Sequence, residues 1–116
     1  MPMRRYGSKG EGCVPLTVSW EEGGSVRILC DGVLDRDTVP ELRRRLFRDV
    51  VKKRPTDVRL DVSAVERMDT AGLAFVLELR NALKSQGIGF RLDGITDSVR
   101  RLVGLARLEN LLFESD

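Results

Sequence analysis

Apolar residues along this chain recur at two distinct spacings, and the switches between them divide the sequence into elements. Leu16, Val18 and Trp20 alternate with polar residues, as a half-buried strand requires, and Pro15 suits a strand start or a sheet edge. Glu21-Glu22-Gly23-Gly24 supplies a turn, and Ser25 to Cys30 follows as a second strand, so a hairpin is predicted. Asp31-Gly32 breaks that strand, and Val33-Leu34-Asp35 leads into a first helix with Asp37 or Thr38 as its N-cap. Pro40 and Glu41 suit its first turn, and Val39, Leu42, Leu46 and Val50 fall at helical spacing along one stripe. Pro55 ends the helix.

Val58, Leu60 and Val62 alternate again and predict a third strand from Asp57 to Val62, with Ser63 to Met68 as a loop. A second helix is expected from about Ala71 to Gln86, closed by Gly87. Phe90-Arg91-Leu92 marks a short fourth strand. Asp97 or Thr96 can cap a third helix carrying Val99, Leu102, Val103 and Leu105, and Leu111-Leu112-Phe113 is read as a last strand. The order ββαβαβαβ specifies an α/β fold with helices packed against a mixed β-sheet. Residues 1–13, which lack this patterning, are expected to form a flexible N-terminal tail, leaving residues 14–116 as one domain.

The chain has 116 residues, 41% hydrophobic and 33% charged, which suits one globular core. Its 20 Lys and Arg against 18 Asp and Glu leave a formal charge of +2, so nucleic acid is not indicated as the main partner. The basic run of Arg43, Arg44, Arg45, Arg48, Lys52, Lys53 and Arg54 has no interleaved aromatic residues to stack bases and reads as a solvated face. No apolar run approaches the ~20 residues of a bilayer span, and no apolar stretch follows the basic N-terminus, so a cytoplasmic protein is expected. Cys13 and Cys30 are expected as free thiols in a reducing compartment. With no histidine and only two distant cysteines, no metal site and no cofactor are indicated. Thr70 lacks a histidine to activate it as a nucleophile, and an enzyme is not expected.

The second helix departs from plain amphipathic patterning. Ala71-Gly72-Leu73-Ala74-Phe75-Val76-Leu77 is apolar on nearly every side, so this end either lies deep in its own core or presents a patch to a partner. Asp69 and Thr70 precede it. A side-chain oxygen here can cap the first turn, and Gly72 permits close approach of another backbone. A helix N-terminus would also favour a phosphate on Thr70.

Asp61-Val62-Ser63-Ala64-Val65-Glu66-Arg67-Met68-Asp69-Thr70-Ala71-Gly72-Leu73 resembles the signature segment of STAS domains. Gly32-Val33-Leu34-Asp35 resembles the family's Gly-x-Leu-Asp element, and Lys84-Ser85-Gln86-Gly87 and Gly94 to Val99 also fall where the family has matching features. The resemblance spans roughly residues 14–113 and implies a single STAS-like domain. It implies that Thr70 stands where anti-sigma-factor antagonists carry a serine or threonine phosphorylated by a partner kinase, which switches their binding off. It places Asp35 and Asp69 as acidic neighbours of that site, with Ala71, Gly72 and Leu73 beside it. Two partners follow as alternatives. One is the ATPase subunit of a phospholipid-transport ABC transporter, with the chain peripheral to the membrane only through that partner. The other is an anti-sigma factor and its serine kinase. Threonine stands where antagonists commonly have serine, although it occurs in relatives; an end at Phe113-Glu114-Ser115-Asp116, where antagonists continue into a further helix, and the run Asp69-Thr70-Ala71-Gly72-Leu73-Ala74 look more like the transporter branch.

Overall fold

The computed structural model describes residues 3–6 and 16–113. Five strands, β1 (Met3–Tyr6), β2 (Leu16–Trp20), β3 (Ser25–Leu34), β4 (Asp57–Met68) and β5 (Gly89–Asp93), lie in the order β1-β2-β3-β4-β5. β1, β2 and β3 pair antiparallel, whereas β3, β4 and β5 run parallel. The parallel half needs crossovers, which α1 (Val39–Asp49) and α2 (Thr70–Ser85) provide. α3 (Asp97–Leu105) and α4 (Glu109–Leu112) follow β5.

The mixed sheet with helices on it is the architecture the patterning specifies, but both ends of the order differ. Four residues of the expected tail pair as an edge strand against β2. Leu111 and Leu112 lie in a helix and not in a strand. The expected lack of a terminal helix therefore does not separate the two branches of the family.

Alternation along the strands places Leu16, Val18, Val26, Ile28, Cys30, Val58, Leu60, Val62 and Leu92 on the buried face. α1 covers it with Val39, Leu42 and Leu46, α2 with Leu73, Phe75, Val76, Leu79 and Leu83, and α3 with Val99 and Val103. Leu105 does not join this stripe and is 78% exposed. On the opposite face Arg27, Arg59 and Arg91 are register partners, and the next row holds Asp61 and Asp93. Arg27 donates to Asp61 at 2.9 Å. Burial pushes the Asp61 carboxyl up, but its hydrogen bonds from Ser63 and Arg27 outweigh this and hold it below the usual range. Cys30 is a free thiol whose pKa burial pushes up to about 12, with Asp61 and Asp31 adding to the shift. Cys13 lies outside the described residues.

Two strands are longer than the patterning indicates. β3 continues through Asp31-Gly32, where Gly32 takes φ 88° and the register against β4 shifts. β4 continues through the segment expected to be a loop, and the extended pair ends with Leu34 opposite Met68. This extension carries Asp35 and Asp69 to adjacent positions beyond the sheet.

α2 is seated directly on that extension. A Cβ at Gly72 would collide with the Leu34 carbonyl oxygen and come within 2.9 Å of Leu34 Cβ and Met68 Cγ. Asp69 N–H donates to the same Leu34 carbonyl at 3.1 Å. At the far end of α2, Ile88 N–H returns to the Leu83 carbonyl and Gly87 N–H to that of Lys84, a Schellman closure with Gly87 at φ 77°.

Replacing Gly72 by Ala is expected to lower the melting temperature by roughly 5–20 °C, because overpacking costs ~1–3 kcal/mol in a domain of this size. A thermal melt that leaves the midpoint unchanged would contradict this seating of α2. Cys30 is expected to resist a thiol reagent in the native protein and to react once denaturant is added.

Candidate functional site

The three longer helices all begin at one edge of the sheet, beyond the C-terminal ends of the parallel strands. Each needs acceptors for the free N–H groups of its first turn. The chain provides them from the residues that close the preceding strands or loops, and this decides what each candidate residue does.

Asp69 is the N-cap of α2. Its backbone is extended (φ −108°, ψ −171°), and its Oδ1 accepts from Ala71 N–H at 2.9 Å and Gly72 N–H at 3.1 Å. Of the two residues that could cap this helix, Asp69 does so, which leaves Thr70 as the first helical residue, exposed to solvent. Among the described residues the Thr70 hydroxyl has no hydrogen-bond partner. The carboxylate already occupies the positive end of the helix, so a phosphate on Thr70 would stand beside an existing negative charge and not at a bare helix terminus.

Asp35 instead closes the turn that leads into α1, and its main-chain carbonyl accepts from Val39 N–H, the first helical amide, at 2.9 Å. Its Oδ1 accepts from Asp37 N–H at 2.9 Å and Thr38 N–H at 3.1 Å. Neither residue expected to cap this helix does so by its side chain: Thr38 holds the N-cap position, but its side chain makes no cap bond. The Thr38 hydroxyl instead donates to the Val33 carbonyl at 2.9 Å and accepts from Asp35 N–H at 3.0 Å, tying the turn shut. The other Asp35 oxygen faces Arg67 at 3.8 Å, a loose pair with the Arg67 side chain 71% exposed, so the guanidinium is held weakly. Thr96 completes the set by accepting from Val99 N–H at 3.3 Å at the start of α3. Gly94, at φ 70°, brings that loop against Asp61 and Ser63, where a Cβ would collide with the Asp61 carboxylate.

The apolar start of α2 divides between two environments. Gly72, Leu73, Phe75 and Val76 are buried in the domain's own core. Thr70 and Ala74 are exposed, and Ala71 and Leu77 are half-buried. Thr70, Ala74 and Glu78 are spaced one turn apart on one stripe, and Glu78 is tied to Arg43 of α1 at 2.9 Å. The accessible surface here is thus a narrow strip of small side chains on a rigid helix, bordered by exposed Glu66 and Arg67 of β4 and by Arg36 and Asp37.

The structure therefore brings Asp35, Asp69, Thr70, Ala71 and Gly72 to one edge, while Leu73 serves the core. Both carboxylates are engaged with backbone amides, and among the described residues no group of three or more potential metal-ligating side chains occurs. Sequence patterning does not reveal Arg67 and Ala74 as parts of this surface. Arg67 lies in what reads as a loop, and Ala74 looks like one more apolar residue in a helix that is apolar all round.

The family model described as "Mlab, STAS domain" matches residues 20–113. The chain is 37% identical over 95 residues to the intermembrane phospholipid transport system binding protein MlaB of Escherichia coli strain K12, covering 82% of this chain and 90% of that protein. The Shigella flexneri protein of the same name matches to the same extent. Among solved structures, an anti-sigma factor antagonist from Mycobacterium paratuberculosis superposes with a TM-score of 0.72 at 21% identity, covering 89% of this chain and 86% of that one. The antagonist SpoIIAA in its unphosphorylated form gives 0.64 at 18% identity, covering 78% and 82%. At such identities the structural likeness establishes the fold alone, but together with the family model and the sequence relatives it leads to one conclusion: the chain belongs to the STAS domain family.

Proposed function

We propose that this chain is a non-enzymatic, cytoplasmic accessory subunit that binds the ATPase of a phospholipid-transport ABC transporter through the N-terminal turns of α2. The observation that carries the reading is Thr70. It stands exposed at the tip of a helix whose position is fixed by the Asp69 cap and the Gly72 contact, with Ala71 and Ala74 as its small neighbours on the helix surface. A rigid, shallow strip whose exposed centre is Thr70 and Ala74 allows another backbone to approach closely and loses little side-chain entropy when covered. The sequence relatives support the transporter assignment: those at 37% identity are phospholipid transport system binding proteins, whereas likeness to the antagonists is at the level of fold. Among the described residues no helix is long and apolar enough to cross a membrane, so attachment to a transporter would come through the ATPase.

Thr70 is at once the centre of this contact and an accessible hydroxyl. That accessibility favours a second reading, in which the chain is an anti-sigma-factor antagonist and a serine kinase phosphorylates Thr70. About two negative charges added beside Asp69 would then oppose docking by repulsion and desolvation.

Co-expression with the cognate transporter ATPase is expected to yield a stable complex, retained by Thr70→Ser and lost by Thr70→Arg. Burying a charge without a partner at this contact is expected to weaken binding by roughly tenfold or more. Because Thr70 is exposed, both variants are expected to melt within about 2 °C of the parent, in line with the small effects of surface substitutions. A Thr70→Arg complex as stable as the parent's would contradict the docking surface. Phosphate on Thr70 after incubation with an anti-sigma kinase and ATP, without ATPase binding, would select the antagonist reading.

A further inference from the structure

A groove of about 630 Å³ lies at the opposite end of the domain from Thr70, between the C-terminal parts of α1 and α2. Phe47, Val51 and Ala82 form its apolar lining, and Arg44, Arg48, Lys52 and Arg54 supply the charge. No acidic side chain lines it. Arg44 is paired with Glu41 at 2.6 Å and Arg48 with Asp49 at 2.8 Å, just outside the groove. Lys52 and Arg54 have no ion pair among the described residues, and both are exposed.

Two features set this groove apart from an ordinary solvated face. One is the backbone at Arg54, which adopts a left-handed conformation (φ 52°, ψ 65°) where the chain leaves the short 3-10 turn Val51–Lys53. Glycine takes that conformation without steric cost, yet here it carries the longest of the basic side chains. The other is the sign of the local field. The C-terminal ends of α1 and α2 turn backbone carbonyls toward this side, which neutral surroundings would leave attractive to cations. Lys52, Lys53 and Arg54 follow directly on the last turn of α1 and add three positive charges to the Arg48 that the turn already carries.

We propose that this groove binds an acidic peptide segment of a partner protein, anchored by an apolar side chain placed over Phe47, Val51 and Ala82. Charge complementarity selects the acidic residues, and the lining selects the anchor. Concavity argues for a peptide over a bilayer, because Val51 is only 5% exposed and Phe47 packs against the core, leaving no apolar side chain projecting to enter lipid. It argues against a nucleic acid for the same reason, since no ring stands free to stack a base. α2 spans 16 residues, or ~24 Å at 1.5 Å per residue, so the groove and the Thr70 surface are separate and one chain can engage both at once.

The test is selection of a random peptide library, displayed on phage, against the full chain at low ionic strength. Enriched peptides are expected to combine several Asp or Glu residues with a Leu, Ile or Phe. Synthesised with a fluorescent label, they are expected to bind more weakly as salt rises. Binding should fall by roughly tenfold or more in a Lys52→Glu, Arg54→Glu variant and be unaffected by Thr70→Arg. Both reversed positions are exposed, and a thermal melt equal to the parent's verifies that the variant folds. The proposal is overturned if no peptide is enriched, if enriched peptides lack acidic residues, or if their binding survives the charge reversal. It is equally overturned if vesicles of phosphatidylglycerol and phosphatidylcholine bind with dependence on Lys52 and Arg54 while the peptides do not.

Discussion

The contact between Gly72 and the Leu34 carbonyl determines how the rest of this domain is arranged at the edge that carries Thr70. A helix that begins immediately after a strand can leave the sheet in many directions. Here the first turn rests on the end of the neighbouring strand with no room for a Cβ, and Asp69 N–H bonds the same carbonyl. The helix direction is therefore set by backbone contact and not by flexible side chains. Thr70 follows from it: with Gly72 facing β3 and Asp69 turned back to cap the helix, the residue between the cap and the contact turns outward.

Division of labour along α2 follows from the same seating. The large apolar residues of the first turns lie over the sheet, so a helix start that is apolar all round presents only Thr70, Ala74 and part of Ala71 and Leu77 to solvent. Such a surface has little apolar area of its own. Its affinity for a partner would depend on rigidity and close backbone approach, and it is correspondingly sensitive to any added bulk or charge. The two acidic residues beside it have structural work first: Asp69 caps the amides of α2, and Asp35 holds the amides of the turn before α1, fixing the rim of the surface.

Much of this was legible in the sequence because the signals are local. Period-two alternation located the strand cores, helical spacing located the stripe of α1, Gly87 closed α2, and Thr96 capped α3. What is not legible there depends on long-range pairing. Asp31-Gly32 reads as a strand end, but a bulge with Gly32 at positive φ lets β3 continue. In residues 63–68 only Val65 is buried, so the second half of β4 shows no alternation and looks like a loop. Thr38 holds the α1 N-cap position, as the sequence indicates, but its hydroxyl turns back to the Val33 carbonyl at the end of β3, a contact that only the folded strand supplies. Three consecutive apolar residues at 111–113 fit a strand or a short helix equally, and packing at the end of the chain decides for the helix. At the candidate site, Asp69, Thr70 and Gly72 were recognisable by type and order, while Arg67 and Ala74 emerge only once β4 and α2 are placed.

The central claim is that the exposed strip at the start of α2 is where another polypeptide docks. Hydrogen–deuterium exchange of the full chain, alone and saturated with the transporter ATPase, tests it most directly. The account predicts that amides of residues 66–78 and of the Asp35 to Thr38 turn exchange more slowly in the complex, with the outer face of the sheet unaffected. Protection confined to that outer face, with exchange at the start of α2 unchanged, would contradict it.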